Sequence, residues 1–198
     1  MSPRTAPRPT ESDHPLAFLT GFLQRPKEVA SIIPSSRFLM RRVVHCADVG
    51  RARLVVELGP GTGGSTRAML RAMRPDATLL AIEIHPGFVR LLRRTIDDPR
   101  LVVHEGSATD LEKILVQHGL GAPDVVFSGI PFSQIPEAVG LGILRAVDAA
   151  LAEGGRFVAY QARDRVEKLG RRVFGRPEVQ LELRNVPPMR VYRWNKSV

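Results

Sequence analysis

The stretch Leu54-Val55-Val56-Glu57-Leu58-Gly59-Pro60-Gly61-Thr62-Gly63-Gly64-Ser65-Thr66 constrains this chain more than any other. Leu54 to Leu58 is a short apolar run, β-rich at Val55 and Val56, that stops at glycines, as a buried parallel strand does. The glycines let the backbone turn tightly and come close to a ligand, and a helix opens near Ser65 with Arg67-Ala68-Met69-Leu70. Strand, glycine loop and helix in that order predict an α/β domain with a ligand at the loop.

The glycines alone leave the ligand open. Gly59, Gly61 and Gly64 fit G-x-G-x-x-G, which suits a pyrophosphate. Glu57 argues against that, because a carboxylate at the strand tip repels a pyrophosphate and favours a ligand with an ammonium and a sulfonium. S-adenosylmethionine is such a ligand, and ELGPGTG resembles motif I of the class I S-adenosylmethionine-dependent methyltransferases. Thr78-Leu79-Leu80-Ala81-Ile82 reads as the next strand. Glu83 at its end is placed to accept both ribose hydroxyls of an adenosine.

The 198 residues suffice for one full α/β domain. No apolar run approaches the roughly 20 residues that span a bilayer. Met1 to Asp13 is polar and proline-rich and is expected to be a flexible arm. Cys46 is the single cysteine, which excludes an internal disulfide and suits the cytoplasm, and the histidines do not cluster with it into a metal site. The net charge of +9 implies an anionic partner, either nucleic acid or an anionic membrane surface.

Residues 14–50 are expected to form amphipathic or lid helices ahead of a catalytic domain at 51–198. In the first, Leu16, Leu19, Phe22 and Leu23 recur at helical spacing, with Phe18 one turn below Phe22 and Arg25 and Lys27 following. That stripe suits either core packing or insertion among lipid tails. In the second, Ser35 or Ser36 caps a basic helix carrying Phe38, Leu39, Arg41 and Arg42. From Leu54 the pattern alternates strands (54–58, 78–83, 101–105, 124–128, 155–161) with helices (65–73, 86–96, 109–118, 136–152). A basic helix near 164–173 and strands near 178–183 and 191–194 close the chain. The expected fold is therefore α/β: a Rossmann-like, seven-stranded, mostly parallel sheet with helices on both faces. Two further loops follow strands, Gly106-Ser107-Ala108-Thr109-Asp110 and Ser128-Gly129-Ile130-Pro131-Phe132.

The whole order resembles two related groups of class I methyltransferases. In the rRNA adenine dimethyltransferases, motif IV is asparagine-leucine-proline-aromatic. Here Gly129 takes the asparagine position, so the side chain that holds the adenine amino group is missing, and the basic helical domain those enzymes carry has no counterpart. The bacterial phospholipid N-methyltransferases match more of the chain, through IIPSSRFLMRR, ELGPGTG, AIE, SGIPF, FVAYQ and NVPPMRVYR. The similar ornithine-lipid N-methyltransferases share that pattern. The resemblance implies S-adenosylmethionine-dependent N-methylation of an amino-lipid, with phosphatidylethanolamine to phosphatidylcholine as the first expectation. The alternatives are ornithine lipid or rRNA adenine. The enzyme is expected in the cytoplasm, peripherally on the inner face of the cell membrane, with nucleic acid disfavoured as a partner.

The expected cofactor set is Glu57, Gly59, Gly61, Thr62, Gly63, Glu83, Ile84, Ser107, Ala108, Ser128 and the Ser35–Ser36 pair. The amine, with an ordinary pKa near 10, must lose a proton before attack. Tyr160, the Ser128 hydroxyl and the backbone carbonyls of the SGIPF turn are the candidate acceptors. Phe132 and Tyr160 are candidates to stabilise the cationic product. Arg190 is the first candidate to meet the lipid phosphate, followed by Arg37 and Arg163, and Gly129, Ile130 and Pro131 form the substrate-facing turn. Arg165, Lys168, Arg171 and Arg172 interleave with Val166, Leu169 and Val173, which predicts a membrane-facing stripe.

Overall fold

The computed structural model describes residues 36–196. The proline-rich arm, the apolar stripe from Leu16 to Leu23, and Ser35 lie outside the described residues. The described part holds helix α1 (Arg37–Ala47), strand β1 (Leu54–Leu58), α2 (Gly64–Ala72), β2 (Thr78–Glu83), α3 (Pro86–Thr95) and β3 (Leu101–Glu105). A 3₁₀ turn at Ala108–Asp110 leads into α4 (Leu111–Gln117). Then come β4 (Val125–Ser128), a second 3₁₀ turn (Phe132–Gln134), α5 (Glu137–Ala150), β5 (Arg156–Gln161), α6 (Arg165–Gly170), β6 (Glu178–Glu182) and β7 (Met189–Asn195).

The strands form one seven-stranded sheet in the order β3-β2-β1-β4-β5-β7-β6. The first five run parallel, and β7 enters antiparallel to both β5 and β6. β1 lies between β2 and β4, so the chain leaves its carboxyl end toward one side of the sheet and β4 toward the other. Open α/β sheets bind ligands at such a divergence.

β1 is buried throughout because helices cover both faces. Leu54, Val56 and Leu58 share one core with residues of α4, α5 and α6, while Val55 points into a second core with α1 and α2. Helix α1 is part of that second core: Leu39, Met40, Val43, Cys46 and Ala47 are buried. It therefore belongs to the catalytic domain's own packing, although its sequence position had set it apart as lid.

Helix α1 is also pinned at its start. The Ser36 hydroxyl caps it by accepting from the Leu39 N–H at 3.2 Å. The Ser36 N–H donates to Asn185 Oδ1 at 2.9 Å, and Asn185 Nδ2 donates to the Pro187 carbonyl at 3.0 Å. Asn185 is buried in the β6–β7 turn. One turn along the helix, Arg42 pairs with the buried Glu182 carboxylate at 2.9 Å, and Arg184 holds the same group at 3.0 Å. The Arg184 hydrogen bonds, with Arg42 behind them, hold the Glu182 carboxyl down to about 2. Asn185→Ala removes both side-chain bonds of a buried residue, so unfolding free energy is expected to fall by about 1–3 kcal/mol. Chemical denaturation measures it, and an unchanged midpoint would show that the clamp contributes nothing to stability.

Candidate active site

The loop after β1 begins at the strand divergence. The Gly59 N–H donates to the Ile82 carbonyl at 2.9 Å, and the Gly129 N–H donates to the Leu58 carbonyl at 2.9 Å, so the tips of β2, β1 and β4 are tied together. Gly59, Gly61 and Gly63 have φ of +70°, +55° and +82°, a region that favours glycine. Their surroundings separate their roles. A Cβ at Gly61 meets nothing within 4 Å, so the backbone there faces open space. A Cβ at Gly63 would lie 2.7 Å from Leu92 Cδ2 and 2.9 Å from an Arg67 nitrogen, so Gly63 serves helix packing.

Glu57 lies beneath the loop, fully buried. Its carboxylate accepts from the Ser65 hydroxyl and, at 2.6 Å, from the Thr66 hydroxyl at the start of α2. Sequence reasoning had directed this carboxylate toward a cationic ligand; both oxygens instead brace the loop against its helix. Glu83, also buried, accepts from the Gly61 N–H at 3.0 Å and the His85 N–H at 2.9 Å. A carboxylate has further lone pairs for ligand hydroxyls after two such bonds.

Burial raises both acids. It pushes the Glu57 carboxyl up from 4.5 to about 7, against the two hydroxyl hydrogen bonds, with a further upward push from Glu83. Burial also raises Glu83, opposed by the N–H groups of His85 and Gly61. Both carboxyls are thus costly to ionise where they lie, and a cationic ligand close by would favour their charged forms.

The other expected cofactor residues divide. Thr62 is exposed on the loop, and Ile84 is half-buried against the core. The Ser107 hydroxyl caps the first 3₁₀ turn by accepting from the Thr109 N–H, with the buried Ala108 beside it. The Ser128 hydroxyl is buried and accepts from the Ile130 N–H at 3.2 Å, which folds the SGIPF turn back on β4.

The turn itself brings one correction. Phe132 was expected to offer its face to a cation, but it is fully buried in the core beside Ile135 and Leu169. Tyr160 is half-buried with its ring stacked on Phe127 at 5.6 Å and 11°. Arg190 is exposed at the start of β7, directly opposite Gln161, and donates to the Ala162 carbonyl at 3.0 Å. Arg163 is exposed nearby in sequence, while Arg37 lies away from Arg190, over the Phe38 ring at 4.9 Å.

The stripe expected on α6 also needs correcting. Val166 and Leu169 are buried in the core. Arg165 and Arg172 pair with Glu137, Lys168 with Asp164, and Arg171 with Glu167. That face is packing below a layer of local ion pairs. The i, i+3 spacing of the apolar residues was real, but core burial claimed it.

The fold and this site define a class I S-adenosylmethionine-dependent methyltransferase. Over 177 residues the chain is 36% identical to the ornithine lipid N-methyltransferase of Singulisphaera acidiphila, covering 88% of this chain and 92% of that protein. It belongs to that methyltransferase family. The ribosomal RNA small subunit methyltransferase A of Caulobacter vibrioides is 36% identical over 95 residues only, 47% of this chain and 34% of that one. No protein-family model matches the chain. Among solved structures, the N-methyltransferase NodS from Bradyrhizobium japonicum superposes with a TM-score of 0.68 at 14% identity, over 83% of this chain and 98% of that one. The Burkholderia thailandensis 1,6-didemethyltoxoflavin-N1-methyltransferase, solved with S-adenosylhomocysteine, gives 0.67 at 18% identity over 100% and 95%. At those identities the likeness is one of fold.

The residues present fit the cofactor: an open backbone at Gly61, a buried acid at Glu83 on the Gly61 N–H, and a second buried acid, Glu57, beneath the loop. When bound, S-adenosylmethionine supplies an electrophilic methyl on a sulfonium. The chain's own contribution is placement, which for an in-line displacement is most of the catalysis. Glu83 and the glycine loop would hold the adenosine side, and the SGIPF turn would border the nucleophile.

A raised carboxyl pKa has a direct thermal consequence. Below pH 4.5 the folded and unfolded states both hold the Glu57 proton, and its stabilising contribution is complete. Between 4.5 and about 7 the unfolded chain releases that proton first, so stability falls as pH rises. Glu57→Gln is expected to flatten this part of the plot of Tm against pH. An equal slope in both proteins would assign the pH dependence elsewhere.

Proposed function

We propose that the protein transfers methyl groups from S-adenosylmethionine to the amine of a lipid head group at an anionic membrane surface. One observation carries the choice of lipid over nucleic acid. A Cβ built at Gly129 would lie 2.8 Å from the Gly59 carbonyl oxygen, a backbone atom of the cofactor loop. A contact that short against backbone requires the loop itself to shift. The asparagine of the adenine dimethyltransferase pattern therefore has no room in this arrangement.

Between head groups, ornithine lipid comes first, because the relative that matches nearly end to end is named for it. Phosphatidylethanolamine, the first expectation from sequence, presents the same pair of an amine and an anion and is the second reading. In either, Arg190 is placed to meet the anion, as a carboxylate or a phosphate.

The β6–β7 turn supports attachment to a membrane. Because β7 runs antiparallel to β5 and Arg190 lies opposite Gln161, residues 183–188 extend beyond the carboxyl end of β5, the edge that carries the ligand loops. Among the described residues the exposed large apolar side chains are Val116, Val179, Leu181, Leu183 and Val186, and four of these lie on β6 or this turn. Arg37 and Arg184 stack on Phe38 beside the turn, at 4.9 and 4.3 Å. Apolar side chains rimmed by arginine match an anionic lipid surface in both polarity and charge. They lie at the edge where a membrane-bound amine would have to enter.

Two experiments test this reading. The protein is incubated with labelled methyl donor and vesicles containing ornithine lipid or phosphatidylethanolamine, with rRNA and DNA in parallel, and the products are separated by chromatography. Label is expected on an amino-lipid and absent from the nucleic acids; the reverse distribution would overturn the proposal. In the second, Leu183→Asp with Val186→Asp is expected to weaken binding to anionic vesicles by about tenfold or more. Wild-type binding itself should decline with added salt. Undiminished binding by the double variant would remove the turn from the membrane contact.

A further inference from the structure

We propose that the side-chain carbonyl of Gln161 is the hydrogen-bond acceptor for the substrate amine, taking the part that the missing side chain at position 129 cannot. This rests on the lipid-amine reading above. Gln161 ends β5 and is only 7% exposed. Its Nε2 donates to the Ile130 carbonyl at 2.8 Å. A backbone carbonyl only accepts, so that bond fixes which way the amide lies, with Oε1 turned away from Ile130. Among the described residues no donor reaches Oε1. A buried amide oxygen without a partner is costly, and such groups call for a functional or solvent partner.

The surroundings point to the nucleophile. Ile130 belongs to the SGIPF turn, and its Cγ1 would lie 3.1 Å from a Cβ at Gly59, so the amide grips the turn that borders the cofactor loop. Arg190 faces Gln161 across the antiparallel pair, tied to the domain through the Ala162 carbonyl. Facing residues in such a pair have neighbouring side chains. An acceptor and a cation side by side complement a head group whose amine and anion are a few atoms apart. Arg190 is exposed, so its guanidinium is accessible to the anion of a substrate whose amine meets Oε1.

The chemistry makes the role specific. The neutral amine donates one N–H to Oε1, which aims its lone pair away from β5. That lone pair forms the new N–C bond, the C–S pair leaves with sulfur, and the nitrogen, now cationic, releases a proton to water before another transfer. A primary amine and a monomethylated one each have an N–H to donate. A neutral dimethylated amine has none. The acceptor therefore aids the first two transfers and is indifferent to a third.

The test uses the full chain and Gln161→Met, which keeps the length of the side chain without an acceptor. Vesicles carry the amino-lipid in primary, monomethylated or dimethylated form. The variant is expected to lose on the order of tenfold to a hundredfold in rate on the first two. On the dimethylated lipid the rate should be unchanged or, where that lipid is not turned over, its inhibition constant should be. The thermal midpoint is expected to fall somewhat, because Met also gives up the Nε2 bond to the Ile130 carbonyl, while S-adenosylmethionine affinity by calorimetry should match the parent. Equal losses on all three lipids would overturn the proposal. So would a joint fall in thermal midpoint and cofactor affinity. Either result makes Gln161 a brace for the Ile130 turn, or one end of a buried water bridge to the Tyr192 hydroxyl, which also lacks a protein partner. Failure of the parent on every amino-lipid would overturn the lipid reading, and this proposal with it.

Discussion

The close approach of Gly59 and Gly129 is the constraint on which the rest of the site depends. Two parallel strands, β1 and β4, end side by side, and their chains must leave in opposite directions. At that point each contributes a glycine, and the Gly59 carbonyl lies where a side chain at 129 would begin. The backbone bonds from Gly59 to Ile82 and from Gly129 to Leu58 hold the two loops at that separation. A loop held so tightly at its root can leave Gly61 open to a ligand without collapsing onto it. The cofactor loop and the substrate turn are thus one packed unit, and the choice of residue at 129 bears on both.

The fold was legible because its strands obey simple rules. The seven strands lie within two residues of where alternation, apolar runs and glycine punctuation place them, since buried parallel strands leave few other ways to arrange Val-Val, Leu-Leu and Val-Val runs. The side-chain roles were less legible. Phe132 follows a motif pattern whose aromatic faces a substrate, yet here the residue turns inward against Ile135 and Leu169. Sequence spacing does not report which way a turn rotates its side chain. Glu57 was rightly singled out, but its partners Ser65 and Thr66 are eight and nine residues away across the glycine loop, and only the folded loop brings them under the strand. Asn185 and Gln161 sat inside quoted motifs, NVPPM and FVAYQ, without a role. Their partners, Ser36 and Ile130, are 149 and 31 residues away. Long-range polar pairs of that kind leave no periodic trace.

Charge shows the same division between what a total implies and what geometry delivers. The net +9 points to an anionic partner. Much of the positive charge on and just after α6 is nevertheless consumed by Glu137, Asp164 and Glu167, and Arg100 is fully engaged by Asp98 and the carbonyls of Leu70, Met73 and Arg74. Exposed ion pairs of this kind add little stability, but they do neutralise the local field. The β6–β7 edge differs. There the single carboxylate of Glu182 is shared by Arg42 and Arg184, while Arg37 is held on Phe38, so positive charge remains beside the exposed Leu183 and Val186.

The clamp at Asn185 links that edge to the catalytic domain. Ser36 begins α1, α1 packs on β5 and β7, and β5 carries Tyr160 and Gln161 at its end. In the membrane reading proposed above, a force applied to the β6–β7 turn by a lipid surface would have a short, well-packed route to the residues beside the SGIPF turn. The route needs no hinge. Asn185 bonds both the helix start and its own turn, and Arg42 with Glu182 repeats the tie one turn along. On the proposed lipid reading, a surface element joined so firmly to the strand tips would hold the active site at a fixed height above a bilayer. For an amine confined to the head-group layer, that height decides whether nitrogen and methyl can meet in line.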